Sequence, residues 1–82
     1  MNSNKHHPEY WVMRDEDGIK PIDMPDIYIA EMILDWTAMG MNFKNSNPYI
    51  WFNKKRNYYS NIMTTHTFNK VEKIVTEIWG NY

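Results

Sequence analysis

Residues 25–41 read Pro25-Asp26-Ile27-Tyr28-Ile29-Ala30-Glu31-Met32-Ile33-Leu34-Asp35-Trp36-Thr37-Ala38-Met39-Gly40-Met41, a run that is apolar around nearly its whole circumference when wound as a helix. The spacing predicts a long helix that starts at Asp23 or Met24, carries Pro25 and Asp26 in its first turn, and ends near Gly40. Two carboxylates interrupt it. Glu31 and Asp35 are four residues apart, so they stack on the same face. Ionised carboxylates on an otherwise dry helix are expensive unless a cation or an imidazole pairs with them. The nearest candidates along the chain are the tandem histidines His6 and His7. The expectation is a buried polar centre.

Outward from this helix the chain is punctuated clearly. Residues 1–5 read as a frayed lead-in. His7–Met13 predicts a short helix with Pro8 in its first turn and Glu9 near the positive end. Arg14-Asp15-Glu16-Asp17-Gly18 reads as a charged turn, and the stretch to Met24 as extended, which allows a minor hairpin over 14–24. On the other side, Asn42–Asn47 is a polar loop, and Asn47 caps a helix that opens at Pro48 and runs towards Arg56. Asn57–Thr64 reads as a second connection. Thr65 or Thr67 caps the last helix, in which Phe68, Val71, Ile74, Val75 and Ile78 repeat at helical spacing and Gly80 ends the run. The fold class is mainly all-α: one small three-helix domain over residues 1–82, with a short N-terminal helical or extended segment.

Composition narrows the function classes. At 82 residues with 43% hydrophobic and 16% aromatic side chains, the chain is long enough for one modest core and too apolar to be disordered. Four Trp, six Tyr and seven Met leave apolar surface beyond what such a core absorbs, which suits an interface or a homodimer. A net charge of −1 supplies no field for nucleic acid or an anionic membrane. The absence of cysteine removes thiolate metal sites and fits a reducing compartment. With no signal-peptide core and no membrane-spanning run, a cytoplasmic location is expected.

Two constellations carry chemistry. His6, His7, Glu31 and Asp35 combine the imidazole and carboxylate ligands that suit zinc, manganese or iron. The plainer alternative is a histidine hydrogen-bonded to one of the acids, fixing the register of the N-terminal segment. Adjacent histidines point apart on a regular helix, so both reach one centre only from a turn or a helix end. The second constellation is Tyr49, Trp51, Lys54, Lys55, Arg56, Tyr58 and Tyr59, where basic and aromatic side chains alternate. Such a mixture anchors a protein partner or grips a single nucleic-acid strand, while core packing explains its aromatic members equally well. His66 is assigned nothing. No phosphate loop, nucleophile elbow or zinc-finger spacing is present.

The order His6-His7-Pro8-Glu9-Tyr10-Trp11, then Met24-Pro25, Glu31-Met32 and Asp35-Trp36 resembles the C-terminal half of a family from bacteria and their phages that is known only as a domain of unknown function. The resemblance covers roughly residues 4–40. Longer members of that family resemble the helical HD-type metal-dependent phosphohydrolases, with an upstream His and a His-Asp pair ahead of the tandem histidines. The resemblance implies that His6, His7 and Asp35 stand at or near a metal, with Glu31 beside it. Because this sequence opens at the tandem histidines, it also implies a centre that lacks ligands unless a second chain supplies them, and it weighs against catalysis.

The first functional expectation is therefore a small non-enzymatic protein-binding module of phage type, an inhibitor of a host defence protein in the manner of an anti-CRISPR protein, needing no cofactor. The alternatives are a retained divalent-metal or nucleotide site and a single-strand nucleic-acid binder. Asp35 separates structural from ligand roles. Buried and paired, its replacement by alanine should destabilise by about 3–5 kcal/mol; as an open ligand, its loss should leave the apo protein nearly unchanged.

Overall fold

Pro8 has no amide hydrogen to donate and a φ already suited to a helical turn. In the computed structural model, which describes residues 5–42 and 47–80, it opens a single 3-10 turn, Pro8–Trp11. The lead-in expected at 1–5 and the loop expected at 42–47 therefore fall largely outside the described residues. Val12 and Met13 leave the predicted helix and begin a strand. β1 (Val12–Asp15) pairs antiparallel with β2 (Gly18–Pro21), Val12 opposite Pro21 and Asp15 opposite Gly18. Gly18 has a φ of 114°, where side chains are strained, yet a Cβ at that position would meet no atom. The demand for glycine there is torsional. The minor hairpin is present and begins two residues before the expected stretch.

α1 (Asp26–Asn42) begins as the Pro25 carbonyl accepts hydrogen bonds from the amides of Tyr28 and Ile29, at 3.0 and 3.1 Å. Pro25 thus stands just ahead of the first turn, and Gly40 lies inside the helix. Ile29, Met32, Ile33 and Trp36 are buried in one stripe at helical spacing. The opposite face is open to solvent: Ile27 is 63% exposed and Leu34 68%, and Glu31 and Asp35 are exposed with them. This overturns the expectation of two acids shut away from water. Among the described residues the other elements pack only against the Ile29–Trp36 stripe, so the second face of the helix stays in water.

α2 (Pro48–Lys54) opens as expected, with the Asn47 side chain accepting from the Ile50 amide at 2.9 Å. A single non-helical residue, Lys55 (φ −110°, ψ 20°), separates it from α3 (Arg56–Ile62), where a connection was expected. Asn57, Ser60 and Asn61 are weak helix formers. Tyr59 and Ile62, three residues apart, are nevertheless both buried, and packing decides the conformation. α4 (Thr65–Trp79) is capped by Thr64, one residue before the predicted cap, whose hydroxyl accepts from the Thr67 amide at 3.1 Å. The fully buried Thr67 hydroxyl takes the Met24 amide at 3.0 Å, binding the approach to α1 onto the start of α4. Val71 and Val75 are buried and Phe68 and Ile74 pack beside them, while Ile78 stays 54% exposed. Among the described residues the fold is mainly helical, with four α-helices, one 3-10 turn and one small hairpin.

Each helix contributes one ring to the centre of the core. Tyr59 of α3 stacks on Trp36 of α1 at 5.4 Å and on Phe52 of α2 at 6.0 Å between centroids, and Phe68 of α4 meets Phe52 at 5.0 Å. Arg56 covers this cluster from outside, 5.5 Å from the Phe52 ring and 5.3 Å from Phe68, and is paired with Glu72. Among the described residues no helix is long and apolar enough to cross a membrane.

Burial pushes the Tyr59 phenol up from its ordinary range near 10 to about 12. An acid whose folded pKa is raised ionises first in the unfolded chain. Stability should therefore be level below pH 10 and fall as pH rises from 10 through 12. The loss should reach about 2–3 kcal/mol, read by urea unfolding across that range, and Tyr59→Phe should flatten it.

Candidate metal centre and adjoining cleft

His6 and His7 lie in the turn that leads into the 3-10 turn, which removes the difficulty of adjacent histidines pointing apart. His7 is extended (φ −94°, ψ 132°), and its carbonyl accepts from the Tyr10 amide at 3.0 Å. The two imidazoles come together with centroids 4.6 Å apart and planes nearly perpendicular. One contact closes this turn on itself and two hold it on the body of the protein. The Trp11 indole N–H donates to the Lys5 carbonyl at 2.6 Å. The same indole lies 5.6 Å from the ring of Tyr28 in α1. The Glu9 carboxylate accepts from the Tyr58 hydroxyl of α3 at 2.7 Å, and that bond raises the Tyr58 phenol above its ordinary value.

Asp35 reaches the histidines from the outer face of α1. One ligand atom from each of His6, His7 and Asp35 lies within 4.8 Å of the others, the imidazoles half-buried and the carboxylate exposed. Among the described residues, none of the three side chains makes a hydrogen bond or an ion pair, so the histidine–acid hydrogen bond weighed from the sequence is not formed. Glu31, one turn earlier on α1, is exposed and stands outside the cluster.

The three residues fit a divalent cation. Ligand atoms at about 2.1 Å from a metal lie about 3.0–3.5 Å from one another, so the cluster must contract by up to about 1.3–1.8 Å. The exposed Asp35 side chain has the rotamer freedom to supply that movement.

Behind the cluster lies a cleft of about 200 Å³. Its inner wall is Met32, Trp36 and Met39 from α1, with Trp51 and Tyr59 facing them. Pro8, Glu9 and Lys55 stand around it with the two histidines and Asp35. The seven residues of the aromatic and basic segment divide between core and surface. Tyr59 is buried, and Tyr49, Trp51 and Arg56 are half-buried. The Trp51 indole N–H donates to the Tyr59 hydroxyl at 3.0 Å. Lys54, Lys55 and Tyr58 are open to solvent, with the Lys55 ammonium 4.7 Å from the Trp51 ring centroid. The cleft-forming role of Met32, Trp36 and Met39 was hidden in the sequence, because the same spacing serves a helix that simply packs against a core.

A family model matches residues 1–77, that of a family of unknown function, DUF5662. No curated protein and no solved structure matches the chain.

With Asp35 exposed and unpaired, Asp35→Ala should change the stability of the metal-free protein by no more than about 0.5 kcal/mol in chemical denaturation. A loss near the 3–5 kcal/mol of a broken buried pair would assign the carboxylate a structural role.

Proposed function

The chain belongs to DUF5662, a family of unknown function, and we propose that it is a divalent-metal-binding protein with His6, His7 and Asp35 as ligands. The observation that carries this reading is the convergence of three ligand groups, from a turn and a helix far apart in sequence, with no hydrogen-bond or ion-pair partner for any of them among the described residues. Two imidazoles and a carboxylate suit zinc, manganese or iron(II). Three protein ligands leave coordination positions open, and at those positions a bound ion supplies Lewis acidity or an acidified water. The protein's part is to present neutral imidazole lone pairs from a braced turn, to neutralise charge with Asp35, and to keep an apolar wall beside the open positions. Kinship with helical HD-type phosphohydrolases of bacteria and phages belongs to the same proposal, as does completion of the ligand set by a second copy.

A second reading, a small module that docks on a host defence protein, draws on a different observation. Ile27 and Leu34 form an exposed apolar stripe on α1, supplemented across the molecule by Lys54, Lys55 and Tyr58.

Protein prepared without an affinity tag should bind about one equivalent of zinc or manganese by calorimetry. His6→Ala or His7→Ala should weaken binding by at least about tenfold, and Glu31→Ala should leave it unchanged. Equal affinity in the wild type and His7→Ala would remove the metal reading. For the docking reading, Leu34→Ser should release a host protein that the wild type retains from lysate, with metal affinity unaltered; retention by both forms would end it.

A further inference from the structure

We infer that the cleft behind the metal centre takes a small aromatic oxyanion, a single ring bearing a carboxylate or phosphate, and that it does so only when the metal is in place. This rests on the metal-binding reading above and goes beyond it by naming the ligand class.

The charge distribution supplies the first part. Two carboxylates, Asp35 and Glu9, border the cleft together with one ammonium, Lys55. Without a metal the carboxylates outnumber the ammonium, and an anion is repelled. A divalent cation on His6, His7 and Asp35 reverses the sign, because a bound ion is the largest local charge in such a site. Lys55 then becomes a second anion contact. Among the described residues it makes no ion pair and rests only on the rings of Trp51 and Tyr58, 4.7 and 5.9 Å from their centroids. Its stem can swing inward without breaking a salt bridge.

The shape and lining supply the second part. At about 200 Å³, the cleft is smaller than the roughly 300–1,000 Å³ sites that take drug-sized molecules, so it admits one ring with its substituent. The inner wall of indole, phenol and thioether groups offers flat and polarisable surface. With the oxyanion on the open metal positions and Lys55, the ring lies against the half-buried Trp51 and Met39, over the edges of the buried Trp36 and Met32. The carboxylate and phosphate forms share this chemistry, and the test separates them.

The whole chain, labelled with ¹³C at the methionine methyl groups, would be titrated with benzoate, phenyl phosphate, inorganic phosphate and benzyl alcohol, each with and without one equivalent of zinc. The Met32 and Met39 methyl signals report on the cleft, and a separate zinc isotherm reports on the metal centre. Benzoate or phenyl phosphate, whichever anion is preferred, should shift both methyl signals at least about tenfold more tightly with zinc than without. Inorganic phosphate and benzyl alcohol, each carrying half of the recognition, should bind at least about tenfold more weakly than the aryl anion. Lys55→Met should weaken the aryl anion several-fold and leave the zinc isotherm unchanged. The inference is overturned if a normal zinc isotherm is accompanied by silent Met32 and Met39 signals, by zinc-independent binding of the aryl anion, or by inorganic phosphate binding as tightly as phenyl phosphate. A missing zinc isotherm would overturn the metal reading itself, a result visible before any anion is added.

Discussion

The stack of Trp36, Tyr59 and Phe52, with Phe68 against its end, is the constraint on which the rest of the molecule depends. In a domain of this size no element can be stabilised by its own length; α2 and α3 are seven residues each. Each becomes a helix by delivering a ring to a shared cluster, and the single break at Lys55 is the bend that lets Phe52 and Tyr59 lie nearly parallel, at 11° between planes. The Arg56 guanidinium closes the outer side of the cluster on the faces of Phe52 and Phe68. No buried polar side-chain atom among the described residues lacks a partner, so the apolar packing is not offset by desolvated groups.

The same cluster makes the candidate site. Trp36 and Tyr59 are core residues whose outer edges form the inner wall of the cleft, and Trp51 extends that wall through its bond to Tyr59. The histidine turn is then hung over the cleft by contacts to two different helices, Trp11 on Tyr28 and Glu9 on Tyr58. The result is an asymmetric candidate ligand set: two imidazoles on a braced turn and one carboxylate on an exposed side chain. Were an ion bound there, such a set would join partial preorganisation of the nitrogen ligands to an oxygen ligand free to move.

The outer face of α1 shows how composition and environment part company. A run with so few polar residues would be expected inside, yet half its circumference faces water. The helix uses Ile29, Met32, Ile33 and Trp36 for the core and leaves Ile27 and Leu34 on the face that stays exposed among the described residues. Asp35 gains its exposure from the same fact. Exposure leaves its carboxylate without the fixed partner that burial would have required.

Some of this was legible in the residues themselves. The caps Asn47-Pro48 and the period of α4 are local signals, carried by the chemistry of one amide or one repeat, and the structure agrees with them to within a residue or two. The types of the candidate ligands were legible too, since imidazole and carboxylate are recognisable wherever they fall. What tertiary structure alone decided was which way things faced. Whether Asn57–Ile62 coils, whether Glu31 joins Asp35, and whether Tyr59 is a surface anchor or a core ring each depend on contacts between segments distant in sequence. Periodicity tells which residues share a face of a helix. Only packing tells which face is covered, because coverage depends on the volume the rest of the chain can bring to it.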